Sequence, residues 1–125
     1  MDFITVSQAQ GRVPVTIFHV RERINMSNTA ELESMANEAY AKGTRHLLLD
    51  LTDAPSVTSA GIRSIISLYR LLEQPAAKDP ASVSAKAAHL KLLNLSAYVR
   101  EVLTIAGVLE FLETYDDLEQ AVASF

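Results

Sequence analysis

Short runs of alternating or clustered apolar residues are interleaved along this chain with longer stretches that repeat them at helical spacing. Phe3-Ile4-Thr5-Val6 alternates modestly and Val13 to Val20 alternates well, with Gly11 and Arg12 between them, the pattern of a hairpin at one edge of a sheet. Pro14 suits an edge position or a strand start because it has no N–H to give a ladder. The polar connection 21–28 carries two apolar side chains, Ile24 and Met26. A helix is expected next. Asn28 and Glu31 are spaced almost as a capping box, Leu32, Met35, Ala36 and Ala39 form a buried stripe, and Gly43 is placed to end the helix in the left-handed conformation.

His46 to Leu51 is a continuous apolar run closed by Asp50 and Leu51, the signature of a strand buried on both faces. Thr52 to Thr58 are polar or turn-forming, with Pro55 in the middle, and Ile62, Ile65, Ile66, Tyr69 and Leu72 then recur at helical spacing. Residues 75–87, with two prolines and many small side chains, read as a surface loop. His89 to Leu95 reads as a strand, and Ser96 caps a helix burying Val99, Val102, Leu103 and Ala106 up to Gly107. Phe111 to Tyr115 reads as a last strand. Asp116 and Glu119 box a terminal helix burying Leu118, Ala121, Val122 and Phe125. The order β-β-α-β-α-β-α-β-α predicts an α/β fold, a mixed sheet with helices packed on it, in one domain spanning residues 1–125.

Composition narrows the function classes. At 125 residues, 49% hydrophobic and 21% charged, the chain can bury a real core. It has no cysteine, which excludes disulfides, thiolate catalysis and cysteine metal sites. It shows neither a leader nor an apolar run of about 18 residues, so the expectation is a cytoplasmic protein without membrane insertion. A net charge of −4 argues against non-specific nucleic-acid binding.

Little in the residues suggests catalysis. His19, His46 and His89 each fall in or at the start of an expected strand without ligands at metal spacing, so no metal or cofactor is expected. There is no Gly-rich phosphate loop and no G-x-S-x-G elbow. Asp50 or Asp53, after a buried strand, has the placement of the phosphoacceptor in response-regulator receivers. The first strand, however, ends Ser-Gln-Ala-Gln rather than in acids, and both aspartates read better as loop and turn formers. At the start of the 59–72 helix, Thr58 is the expected N-cap, with Ser59 in the first turn near unpaired N–H groups and the positive end of the dipole. On residue chemistry alone, Ser56, Thr58 and Ser59 are accounted for by capping and turning the loop, each cap stabilising by about 0.5–2 kcal/mol.

Several motifs in order resemble the STAS domains of bacterial anti-sigma-factor antagonists. N-T-A-E-L-E at 28–33 is similar to the family's helix start, R-H-L-L-L-D-L-T-D at 45–53 to its central strand, and V-L-T-I-A-G-V-L-E-F at 102–111 to its late helix and strand. T-S-A-G-I at 58–62 matches the D-S-S/T-G-L signature in its serine, glycine and aliphatic residue. The resemblance implies partner switching without enzymatic activity. An unmodified antagonist binds an anti-sigma factor that is also a serine kinase, phosphorylation of the signature serine dissolves the complex, and a cognate phosphatase resets it. Ser59 is the matching phosphoacceptor, flanked by Thr58, Ala60, Gly61 and Arg63. The implied docking surface joins Ile24, Asn25, Met26, Ser27 and Asn28 to Ser56, Val57 and the exposed face of the 59–72 helix, with Ile24, Met26 and Val57 as its apolar anchors, the alternative for each being ordinary core or loop packing.

The chain departs from the pattern at three places. Thr58 replaces the signature aspartate, Arg63 its second glycine, and Arg23-Ile24-Asn25-Met26 stands where the family has G-x-L-D. The departures leave open an alternative within the family, an unphosphorylated module for assembly, ligand sensing or a lipid transporter.

Overall fold

A mixed sheet carries the molecule, its strands in the order β1-β2-β3-β4-β5: β1 (Ile4–Gln10), β2 (Pro14–Val20), β3 (Leu47–Asp50), β4 (Leu90–Leu93) and β5 (Thr114–Tyr115). β1 and β2 form an antiparallel hairpin; the remaining neighbours pair in parallel. Among the described residues the helices are α1 (Thr29–Ala41), α2 (Ser59–Leu72), α3 (Ala97–Ile105) and α4 (Leu118–Ala123). The computed structural model describes residues 2–73 and 86–125, so the expected loop at 75–87 lies, but for Lys86 and Ala87, outside the described residues.

Strand parity divides the core in two. Phe18, Val20, Leu47, Leu49, Leu90 and Leu92 face the larger cluster, closed by Leu32 of α1, Ile65 and Leu68 of α2, and Val99 and Leu103 of α3. Val15, Ile17, Leu48 and Leu93 point the other way and meet Ala121 and Val122 of α4. Both faces of β3 are therefore covered, which is why its sequence is an unbroken apolar run. No described helix is long and apolar enough to cross a membrane.

Several element bounds differ from the periodicity. β1 continues through Ser7-Gln8-Ala9-Gln10, because the ladder to β2 runs unbroken to Gln10↔Pro14 and an edge strand tolerates polar side chains. After Gly107, at φ 79°, residues 108–110 wind as a 3₁₀ turn that buries Val108, leaving only Thr114–Tyr115 to pair with β4. In α3 the buried positions are Val99 and Leu103, while Ala106 is the exposed C-cap. Asp117, not Asp116, caps α4 by accepting from the Glu119 N–H, and this leaves Leu118 exposed outside the Ala121–Val122 face. Asn28 precedes α1 but makes no side-chain capping bond.

The histidines are structural ties. His19 donates through Nδ1 to Asp50 Oδ2 and meets the Ser7 hydroxyl at Nε2, both at 2.8 Å, linking β1, β2 and β3 on the face that α4 leaves open. Burial pushes the Asp50 carboxyl up, but hydrogen bonds from Thr52 and His19 outweigh it and hold the group below its ordinary 3.8. At the opposite strand ends His46 stacks on His89, centroids 4.8 Å apart, and the Phe125 ring meets His46 edge-on. The buried Lys91 donates to the Ser124 carbonyl and hydroxyl at 2.9 and 3.1 Å, fastening the end of α4 to β4.

The His46 pKa lies below 6.5 because of burial first, then the neighbouring His89 and Lys91, with Glu73 pulling the other way. A depressed histidine stays neutral in the folded chain while the unfolded chain takes up a proton. His46 therefore removes stability as pH falls below its unfolded value of 6.5 and costs nothing well above it. Urea midpoints measured across this window should fall less steeply for His46→Gln than for the wild type; parallel slopes would contradict the assignment.

Candidate functional site

The site is assembled where the segment after β2 crosses the loop after β3. Ile24 and Val57 form an isolated parallel bridge. The Ile24 N–H donates to the Ser56 carbonyl at 3.1 Å, and the Thr58 N–H to the Ile24 carbonyl at 3.0 Å. Both side chains are buried, at 0% and 3% exposure. This corrects the expectation that Ile24 and Val57 are surface anchors. Two apolar residues at a backbone bridge turn their side chains under the loops, and both belong to the larger core.

Thr58 then starts α2. Its hydroxyl donates to the Ile24 carbonyl and accepts from the Gly61 N–H, both at 3.3 Å, so one oxygen holds the crossing loop and caps the helix. Gly61 is required by space. A Cβ there would stand 2.8 Å from the Ile24 carbonyl oxygen and 2.8 Å from a Val57 methyl. That contact lets the bridge lie directly against the first turn of α2.

Around this seam the 22–28 loop is held by two asparagines. Asn25 Oδ1 accepts from the Ser27 N–H and hydroxyl, while Asn28 accepts from the Asn25 N–H and donates to the Arg23 carbonyl. Asn28 is thus spent on the loop rather than on capping α1. Met26 is lifted to 78% exposure. Ser27 is exposed beside it, and Asn25, Asn28 and Ser56 are half-buried.

Ser59 is exposed and its hydroxyl makes no hydrogen bond among the described residues, since Thr58 does the capping. Of the N–H groups at this helix start, that of Gly61 is taken by the Thr58 hydroxyl and that of Ile62 by the Thr58 carbonyl. The first turn of α2 holds no acidic residue, and Arg63, one turn further on, is exposed. The electrostatic character of this end of α2 is therefore positive. Ala60 is half-buried. Of the expected site residues, the structure brings Met26, Ser27, Ser56, Ser59 and the two asparagines around one helix start and withdraws Ile24 and Val57 beneath it.

Sequence reasoning missed the double role of the Thr58 hydroxyl, which depends on a carbonyl distant in the chain. It also missed the Ser7–His19–Asp50 chain. The signal available there was that His19 and Asp50 both lie at the ends of neighbouring parallel strands, where the register places them opposite each other. Among the described residues, no group of three metal-ligating side chains converges.

Fold and site together describe an α/β module whose exposed feature is the N-terminus of a helix following a buried central strand. The STAS domain model matches residues 6–78, more than half of the chain, and the chain belongs to the STAS domain family. BtrV of Bordetella bronchiseptica, whose name designates it an anti-sigma factor antagonist, is 29% identical over 102 residues, covering 82% of this chain and 78% of that protein. An anti-sigma factor antagonist from Mycobacterium paratuberculosis superposes with a TM-score of 0.73 at 18% identity, covering 97% of this chain and 92% of that one. The anti-sigma factor antagonist SpoIIAA in its unphosphorylated form gives 0.73 at 15% identity, covering 95% and 92%. The phosphorylated form of the Bacillus protein gives 0.66 at 13%, covering 95% and 96%. At these identities the structural likeness establishes the fold.

The division of labour between neighbouring hydroxyls is measurable. Thr58→Ala should cost about 0.5–2 kcal/mol of stability, whereas Ser59→Ala should stay within about 0.5 kcal/mol of wild type. Gly61→Ala should cost about 1–3 kcal/mol, because a backbone oxygen must move. Urea denaturation checks all three, and a Ser59→Ala loss as large as that of Thr58→Ala would contradict the assignment.

Proposed function

We propose that this chain is an anti-sigma-factor antagonist that acts as a partner switch in the cytoplasm, with Ser59 as its phosphoacceptor and no catalytic step of its own. Unmodified, it docks on an anti-sigma factor that is also a serine kinase. Transfer of phosphate to Ser59 ends the complex, and a phosphatase restores it. The observation that carries the reading is the exposed, uncommitted Ser59 hydroxyl at the first position of α2, beside a threonine that already satisfies the cap. A hydroxyl needed for capping would make a poor switch, because modifying it would also damage the helix.

The docking surface consists of Asn25, Met26, Ser27, Asn28, Ser56 and the exposed face of α2, with Ile24 and Val57 supporting it from below. A phosphate adds about −1.5 to −2 charge in the middle of that surface, where repulsion and desolvation oppose a docked partner. In the released protein the helix dipole stabilises the same charge by about 0.3–1 kcal/mol. Arg63, four residues on, lies on the same helical face as Ser59 and can pair with it.

Thr58 in place of the signature acid, with Arg63 in place of its second glycine, favours a second reading within the family, an unphosphorylated accessory module. One experiment separates them. The protein is incubated with ATP and each serine-kinase anti-sigma factor of the source genome, and the intact mass is read. A single phosphate, absent in Ser59→Ala, is expected. Ser59→Asp should weaken partner binding by at least about tenfold, or about 1.4 kcal/mol, while Ser59→Ala retains it. No transfer from any kinase, or equal affinity for wild type and Ser59→Asp, would overturn the switch in favour of the accessory module.

A further inference from the structure

We propose that β1 is the contact strand of a two-fold homodimer, pairing antiparallel with β1 of a second copy about an axis through Ser7. β1 is the outermost strand and pairs with β2 without a bulge from Ile4↔Val20 to Gln10↔Pro14. The Arg21 N–H donates to the Phe3 carbonyl, which makes Phe3 and Arg21 a hydrogen-bonded pair in this register. Alternation along an antiparallel ladder then commits the backbone groups of Thr5, Ser7 and Ala9 to β2 and turns those of Ile4, Val6, Gln8 and Gln10 outward.

Among the described residues nothing pairs with or blocks this edge. Protein edge strands are ordinarily protected by charges, proline, bulges or shortness. β1 has seven residues, ITVSQAQ, with no charge and no proline, and Val6 is 48% exposed. Beside it a groove of about 340 Å³ opens between the hairpin and α1, lined by apolar Val6, Phe18, Met35 and Ala39 and also by the mutually paired Glu38 and Lys42. A strand added to β1 would cover its open side.

Charge complementarity selects a second copy as the occupant. In an antiparallel self-pairing centred on Ser7, Val6 faces Gln8 and Ile4 faces Gln10 of the second copy, so outward backbone groups meet outward groups along the full strand. The same register sets Asp2 opposite Arg12 of the second copy on each side of the axis. Both residues are exposed, and neither has an ion-pair partner within the described residues of its own chain. A two-fold contact requires only this one patch. It leaves the α2 start, which lies beyond α1, available to other partners.

Sedimentation velocity on the full chain, from about 10 μM to about 1 mM, tests the proposal in the affinity range of a small interface. A concentration-dependent dimer is expected, with protection of the Val6 and Gln8 amides from hydrogen exchange rising with it. Val6→Lys and Arg12→Asp should each weaken dimerisation at least about tenfold without loss of fold by circular dichroism. The charge-reversed double variant Asp2→Arg with Arg12→Asp should recover the dimer, an outcome that general surface disruption would not produce. A monomer at every concentration, including one that takes an unrelated extended peptide on β1, would overturn the proposal. A dimer indifferent to Val6→Lys and to the charge reversals would overturn it as well.

Discussion

The carbonyl oxygen of Ile24 is the point on which the site depends. It accepts from both the N–H and the hydroxyl of Thr58, and it lies against the one residue of α2 that has no side chain, Gly61. Three constraints converge there: the crossing of two loops, the cap of a helix and the close packing of that helix on a backbone. Buried Ile24 and Val57 side chains add the apolar area that keeps the bridge in place. Because the seam is built from backbone and core, the surface above it can carry polar, exposed side chains without holding the structure together. The Met26 and Ser59 side chains are free of structural duty among the described residues for that reason.

The rest of the sheet is organised by an asymmetry between its faces. Among the described residues, three helices and the 3₁₀ turn cover one face, whereas α4 covers only part of the other. Where α4 does not reach, the strands present hydrogen-bonded polar groups, Ser7 with His19, His19 with Asp50 and Arg21 with Thr5 and Asp53. The Asp50–Thr52 bonds and the Arg21–Asp53 pair fasten the start of the loop that leads to α2. The open face thus steadies the approach to the site while the covered face supports it. Arg21–Asp53 is solvent-exposed and is worth little in stability by itself. Its consequence is geometric, since it joins the end of β2 to the same loop that Ile24 bridges a few residues later.

Much of this was legible in the residues, and the limits follow from what periodicity encodes. The LLLD run of β3, the Thr58 and Ser96 caps and the left-handed glycines at 43 and 107 are local signals, read from neighbours within a few positions. Ser7 to Gln10 carry no apolar pattern, and their place in β1 comes from a ladder to β2. Ile24 and Val57 look alike as surface anchors or as core, because a bridge between residues so far apart in the chain leaves no local trace. Asn28 has the chemistry of a helix cap and the spacing of a capping box, yet two loop groups, the Asn25 N–H and the Arg23 carbonyl, compete for it and win. Ser59 was singled out by resemblance. What the structure adds is that the Thr58 hydroxyl which caps the helix also holds the Ile24 carbonyl, leaving the Ser59 hydroxyl without a partner among the described residues.

That addition bears on the replacement of the signature acid by Thr58. An aspartate at the N-cap would place a negative charge permanently at the positive end of α2, and a phosphate on the next residue would then add to a field already partly neutralised. With threonine the cap is neutral and the first turn carries no carboxylate. In the unmodified state the helix start then presents its full positive character, with Arg63 beyond it. Modification of Ser59 would reverse the sign of that end rather than deepen an existing negative potential. For the switch proposed above, loss of the acid would therefore move the starting potential toward positive, while the change on modification would remain the charge of the phosphate itself. Because the seam beneath is backbone and core, such a change would fall on surface groups that do not hold the fold together.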